Sequence, residues 1–215
     1  MKLTSSRERS IRQLGRSCDF DEPHAVHVRQ LSLSLFDSIG PRLGCERAGR
    51  RVLADAALLH DIGYFVSSAK HHKHSCALIL RAELAGVDES EQALIANVAR
   101  YHRKSEPSAR HRRFAALTRT EREQVRRLSA LLRVADGLDS GHSGAVGKVT
   151  VRWTGRALRI CPVPRDARRA PRIEAWAAAR KAGPLAKIAG LAIEIMSVDG
   201  KVLHRIVAGR RAKVA

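Results

Sequence analysis

Histidines and aspartates stand along this chain where apolar runs end. The densest stretch is Leu58–Ser75, LLHDIGYFVSSAKHHKHS, in which His60 and Asp61 are adjacent behind Ala56–Leu59, and His71, His72 and His74 follow. An imidazole beside a carboxylate offers a divalent metal one borderline and one hard donor. Gly63, just past the pair, would let the backbone turn sharply. Upstream, DEPHAVHV carries His24 and His27; downstream, ARYHRK carries His102 and LLRVADGLD carries Asp136 and Asp139. A buried His or Asp on an apolar helix face needs a partner, and one shared ion satisfies several at once.

The elements that must bring these residues together read as helices up to about residue 140. Ser5 or Ser6 caps a helix over 5–17, with Glu8 in its first turn and Ile11 and Leu14 on one face. Asp21-Glu22-Pro23 starts a second, running to about Ile39, with acid at its positive end and Pro in the first turn. Its apolar stripe is Val28, Leu31 and Leu35, and both His24 and His27 neighbour that stripe, so periodicity does not choose between them. Gly40-Pro41 ends it. Further helices are expected over about 45–60, 71–84, 90–103 and 121–139, the third capped by Asp88 or Ser90. Lys104–Arg113 reads as a polar loop, and Asp136 falls four residues after Leu132, on or beside the inner face of the last helix.

Composition shifts at Gly141–Gly144. Residues 148–153 and 157–161 alternate about Thr154-Gly155-Arg156, as a β-hairpin does. A basic loop, Pro162–Pro171, leads to a helical stretch over 172–189, with Ile173, Trp176, Leu185 and Ile188 as its apolar side and Gly183-Pro184 as a divider. Strands over 191–198 and 202–207 meet at Asp199-Gly200, and the basic tail 209–215 is expected to fray. The expectation is a mainly α fold: a helical domain over 1–142 and a small α+β appendage over 143–215.

Composition narrows the function classes. A length of 215 residues suits one large domain or a domain with an appendage, and with 44% hydrophobic but only 4% aromatic residues the core must be aliphatic. A net charge of +19 favours polyanionic partners. The runs Arg110–Arg113 and Arg165–Arg172 lack interleaved aromatics and specify no nucleic acid. Cys18, Cys45, Cys76 and Cys161 show no C-x-x-C spacing, which argues against a cysteine zinc site and for reduced thiols in a cytoplasmic protein. The first residues carry no secretory apolar region, and no apolar run reaches membrane-spanning length, so no membrane partner is expected.

The segments RSIRQLGRSCDFDEPHAVHV, ALLHDIGYFVSSAKHHKHS, IANVARYHRKSEP and LSALLRVADGLDSGH reach from about residue 10 to His142. In wording and spacing they resemble the HD-type C-terminal region of the exopolyphosphatase / guanosine pentaphosphate phosphatase family. The order His24, His60-Asp61, Asp136 is similar to that of the HD phosphohydrolase superfamily, with His102 added. The resemblance implies an HD-type helical core. It selects His24 over His27, because the HD histidine sits four residues before a Val, and leaves His27 at the rim. It implies His24, His60, Asp61 and Asp136 as ligands of one divalent ion, with His74 and His102 adding imidazoles for a second and Asp61 as the bridge. His71 and His72 are the alternatives to His74. Manganese, iron, magnesium, nickel or zinc would suit such a set, as one ion or two. In that family an actin-like ATPase fold precedes the HD region and its Gly-rich loops hold phosphate. No such loop occurs in these residues, so none of that fold's catalytic residues is carried over.

Two ions a few Å apart would supply a nucleophile and clamp a phosphate. Asp61, Lys73 and Arg103 are then the expected catalytic residues, and Lys73, Arg103, Lys104 and Arg133 the phosphate-binding ones, with Lys70 on a solvated rim. Arg133, three residues before Asp136, either pairs with it or faces phosphate. Two functions are compatible with these residues. One is a metal-dependent phosphohydrolase acting on a phosphoanhydride or phosphate ester, polyphosphate or nucleotide-like. The other is a non-catalytic polyphosphate or nucleotide-binding module working with a separate actin-like phosphatase. The His-Asp set favours the first, since anion binding alone needs no such cluster. The expected partners are a phosphate-rich small molecule or polyphosphate, an actin-like phosphatase chain, and a second copy in a homodimer.

Overall fold

A computed structural model describes residues 5–208; the tail expected to fray, 209–215, lies outside the described residues. Helix α1, Ser6–Ser17, begins where the Ser5 hydroxyl accepts the Glu8 N–H at 3.2 Å, a cap worth about 1 kcal/mol. Asp21 caps α2, Glu22–Ile39, by accepting the N–H of His24 at 3.1 Å, so the cap fixes the backbone of a candidate ligand. A 3-10 turn, Pro41–Leu43, and Gly44 at φ 73° delay the next helix, so α3 spans Gly49–Leu59 rather than starting near 45. From Val52 to Leu59 every residue of α3 is buried, which makes it the central helix.

Helix α4 spans His71–Arg81 and α5 spans Glu89–Arg100, the latter capped by Asp88. A short helix, α6, Arg112–Ala115, takes over the last two residues of the expected polar loop and is pinned by fully buried Phe114, edge-on to Tyr101 at 5.8 Å. Helix α7, Arg119–Gly137, starts slightly earlier than expected because Thr118 and Glu121 form a reciprocal capping box.

The hairpin is present as β1, Val146–Trp153, and β2, Ala157–Pro164. Helices α8, Arg172–Lys181, and α9, Gly183–Ala189, cross over to β3, Ala192–Met196, which pairs parallel with β2, while β4, Val202–Ile206, closes the sheet antiparallel, in the order β1-β2-β3-β4. The fold is therefore mainly α with a small α+β part. One apolar cluster runs from Ile11 and Val28 through Leu131 to Leu158 and Ile193, so both parts share a core across the loop where a boundary at 142–143 was expected. No helix among the described residues is long and apolar enough to cross a membrane.

The apolar side of α8 differs from the expectation. Ile173 and Trp176 are 67% and 40% exposed, and the buried face is Ala175, Ala177, Ala178 and Ala179, with Glu174 buried at the start of the helix, away from the Gly137 contact. The cause is close packing. A Cβ on Gly137, at the end of α7, would lie 2.6 Å from the Cα of Ala178. Only methyl-sized side chains fit that contact, so Ile173 and Trp176 turn outward.

Candidate metal centre

Helix ends deliver the candidate ligands. His24 is in the first turn of α2, His60 follows α3, and Asp61 leads the 3-10 turn Ile62–Phe65. His71 opens α4, His102 follows α5, and Asp136 lies in the last turn of α7. Gly63 is needed for close approach, not for a left-handed turn: a Cβ there would lie 2.1 Å from the His71 carbonyl oxygen and 2.5 Å from the Ser75 nitrogen. The Ser75 hydroxyl donates to the His60 carbonyl at 2.7 Å and accepts the Gly63 N–H at 2.9 Å. The start of α4 is thereby stapled to the His60-Asp61 segment.

The side chains converge in two groups that share Asp61. In the first, His24 Nε2 lies 3.9 Å and His60 Nε2 4.0 Å from Asp136 Oδ1, and the same nitrogens lie 4.0 and 3.5 Å from Asp61 Oδ2. In the second, His71 Nε2 and His102 Nε2 lie 3.2 and 3.3 Å from Asp61 Oδ1 and 3.3 Å from one another.

The other ring nitrogens assign the tautomers. The Nδ1–H of His24 donates to Asp139 Oδ2 at 2.8 Å, that of His60 to the Ala57 carbonyl at 2.8 Å, that of His71 to the Ser68 carbonyl at 3.2 Å, and that of His102 to the Ala99 carbonyl at 2.8 Å. These oxygens only accept, so each ring, when neutral, presents Nε2 as a lone pair. Lone pairs thus face carboxylate oxygens within each group. His24 Nε2, His60 Nε2 and Asp61 Oδ1 are buried with no hydrogen-bond partner. Burying acceptors against acceptors is costly. A cation removes that cost, and pinned Nδ1 groups are how proteins orient histidine ligands. The residues present fit a divalent ion with borderline to hard preferences.

The proton affinities agree with that donor set. Burial pushes the Asp61 carboxyl up, but the positive charge that His60, His71 and His102 carry when protonated outweighs it and holds the carboxyl well below the usual range, a charge that a bound cation would supply in place of those protons. Burial acts the same way on Asp136, and Lys181, His102 and His60 reverse it. Burial drives His102 down to about 3, so its ring is neutral near neutral pH.

The family described as Ppx/GppA phosphatase, domain III, matches residues 6–159. The chain belongs to that family. Guanosine-5'-triphosphate,3'-diphosphate pyrophosphatases are among its curated relatives. That of Aeromonas hydrophila is 30% identical over 92 residues, 42% of this chain and 18% of the relative. That of Pseudoalteromonas translucida is 31% identical over 84 residues, 39% and 17% of the two chains. That of Vibrio campbellii is 28% identical over 132 residues, 61% and 26%. The chain therefore spans between about a sixth and a quarter of the length of the relatives it matches.

Within this domain III chain, both groups lie inside the matched residues, and the structure separates the expected site residues. His24, His60, Asp61, His102 and Asp136 come together. His74 does not; His71 takes that place. The centre sits over the first turn of α4, and His74, one turn further on, is carried about 5 Å along the axis. His27 supports rather than joins: its Nε2 reaches the Val146 carbonyl at 2.8 Å and its Nδ1 lies 3.2 Å from Asp139 Oδ1. Arg133 neither pairs with Asp136 nor opens to phosphate. It donates to the Tyr101 carbonyl at 2.9 Å and the Lys104 carbonyl at 2.8 Å, tying down the turn after α5 whose last carbonyls lack helical partners.

A cavity of about 430 Å³ opens on the centre and is lined by Asp61, Tyr64, His102, Arg103, Asp136, Trp176 and Arg180, among others. Tyr64 stacks on His71 at 3.9 Å, and Arg103 Nη1 lies 3.2 Å from His71 Nε2. Lys73 is exposed and does not line this cavity. It lines an adjoining groove with Lys70, His72, Arg103 and Lys104, in which no carboxylate takes part. Three contributors escaped the sequence reading. Asp139 orients His24, His142 stacks on His24 at 3.7 Å, and Lys181 Nζ bonds Asp136 Oδ2 at 2.5 Å. Asp139 had a signal, being one helical turn beyond Asp136; Lys181 had none.

Proposed function

We propose that this chain is a metal-dependent phosphohydrolase of the HD type, acting on a phosphoanhydride or phosphate ester of a polyphosphate or nucleotide-like substrate. His24, His60, Asp61 and Asp136 hold one divalent ion, and Asp61, His71 and His102 a second. The observation that carries this reading is the buried convergence of His Nε2 atoms on two carboxylates, where His24 Nε2, His60 Nε2 and Asp61 Oδ1 have no hydrogen-bond partner. Bound there, divalent ions supply Lewis acidity toward a phosphoryl oxygen and a nucleophile at neutral pH. The residues of the chain do the rest. Asp139 and the carbonyls of Ala57, Ser68 and Ala99 hold the imidazoles in one tautomer. Arg103 and Lys104, common to the cavity and the groove, pair with the phosphate oxygens. Tyr64 and Trp176 wall the cavity and limit water. The curated relatives, named as pyrophosphatases, support a phosphoanhydride.

A second reading, a non-catalytic polyanion module partnered with a separate phosphatase, is favoured by the groove of Lys70, Lys73, Arg103 and Lys104. A phosphate-release screen over inorganic polyphosphate, guanosine tetra- and pentaphosphate, cyclic dinucleotides and nucleotides, on protein reconstituted with manganese, iron, zinc, nickel or magnesium, separates the two. Metal-dependent release is expected. Asp61→Asn keeps the size of the side chain but loses its charge, so turnover should fall on the order of 100-fold or more while polyanion affinity holds. Tight, metal-independent polyphosphate binding with no release from any substrate would establish the module instead.

A further inference from the structure

We infer that Lys181, in the α+β part, is a positioning residue of the metal centre that holds Asp136 so that one oxygen alone faces the ion. The inference rests on the metal reading above. Asp136 divides its oxygens between two tasks. Oδ2 accepts from Lys181 Nζ at 2.5 Å, while Oδ1 faces His24 Nε2 at 3.9 Å and His60 Nε2 at 4.0 Å. A carboxylate rotates through a broad range about its last torsion unless something fixes it. A charge-assisted bond to one oxygen does so.

The backbone enforces the pairing. Ala178 lies one turn before Lys181 on α8, and Gly137 follows Asp136 on α7. These two meet so closely that a Cβ on Gly137 would lie 2.7 Å from the Ala178 nitrogen. Helix α8 therefore cannot slide to take Lys181 away. The pair is mostly shielded, with side chains 27% and 11% exposed, so solvent does little to weaken it. Lys181 also stands beyond residues 6–159, so the family match assigns it nothing.

One rival explanation has the opposite sign. If the ammonium merely occupied the place of a cation and competed for Asp136, removing it would tighten metal binding. Removing a residue that orients a ligand loosens binding, typically by about 10–100-fold. The test titrates the metal-stripped full chain with cobalt(II) alone, followed by calorimetry and by the cobalt absorption bands. Wild type is compared with Lys181→Met, which keeps the stem without the charge, and Lys181→Arg, which keeps a donor for Oδ2. The expected result is about 10–100-fold weaker binding of one ion in Lys181→Met, with most of that loss recovered in Lys181→Arg and a wild-type circular dichroism spectrum in both. Binding by Lys181→Met that equals or exceeds wild type overturns the inference while leaving the metal reading intact. So does a Lys181→Arg variant no better than Lys181→Met. If Lys181→Met fails to fold, Lys181→Arg decides: near-wild-type affinity and bands support the inference, and a loss of 10-fold or more overturns it. A wild-type chain that binds no cobalt sinks the metal reading and this inference together.

Discussion

His102 is held in a protonation state that its surroundings choose. Burial lowers its pKa from 6.5 to about 3. His72, beside the basic groove, is lowered by burial to about 4. Below pH about 6.5 the unfolded chain takes up these protons and the folded chain does not, so stability falls with pH down to the folded values. Fully buried His102 contributes up to about 1.4 kcal/mol per pH unit within its window, and the less shielded His72 contributes less. Asp139 is held below the usual carboxylate range because the hydrogen bonds from His24 and the Gly144 N–H, with His27 close by, outweigh its burial. Its stabilisation is present above the unfolded carboxylate value and is lost as pH falls below it. Metal-free protein should therefore show a urea midpoint that drops steadily from pH 7 to pH 4. His102→Gln should make that slope shallower, and an unchanged slope would mean that His102 does not titrate as described. Much of this chemistry was legible in the sequence. The His60-Asp61 pair is contiguous, and the family resemblance singles out His24 where the apolar stripe alone leaves His24 and His27 equal. The choice of His71 over His74 was not legible, because helical spacing places both on nearly the same face and only the position of the centre along α4 separates them.

At the scale of elements, the contact of α7 with α8 does two things at once: it completes the core and brings Trp176, Arg180 and Lys181 to the cavity. Gly137→Ala should push the helices apart. Overpacking of this kind costs about 1–3 kcal/mol, and the same displacement should weaken metal binding because it draws Lys181 off Asp136. The two readouts are the thermal midpoint and a cobalt titration; loss of stability with unchanged metal affinity would uncouple the packing from the site. Helix starts were the readable part of this layer, since Ser5, Asp21 and Asp88 cap the helices that the sequence assigns to them. The inward side of α8 was not readable. Hydrophobicity points to Ile173 and Trp176, but the size limit set by Gly137 comes from a helix that is remote in sequence.

Across the whole molecule, charge and packing converge on one face. A +19 chain places Arg103 and Lys104 where the cavity over the His-Asp centre meets a basic groove free of carboxylates, so on the proposed reading an anion drawn in by the general field would arrive beside that centre. The mainly α fold and the small α+β part were both readable from hydrophobic period. Their shared core was not, because the packing of β1 on α2 and α8 on α7 joins segments with no local signal. The account stands or falls on the centre itself. Anomalous diffraction at the manganese edge, from crystals soaked in manganese, tests it most directly. The account predicts one peak within coordination distance of His24 Nε2, His60 Nε2 and Asp136 Oδ1, and a second within reach of His71 Nε2 and His102 Nε2, with Asp61 touching both. A map with no anomalous peak among these nitrogens, from crystals that hold manganese elsewhere, would contradict it.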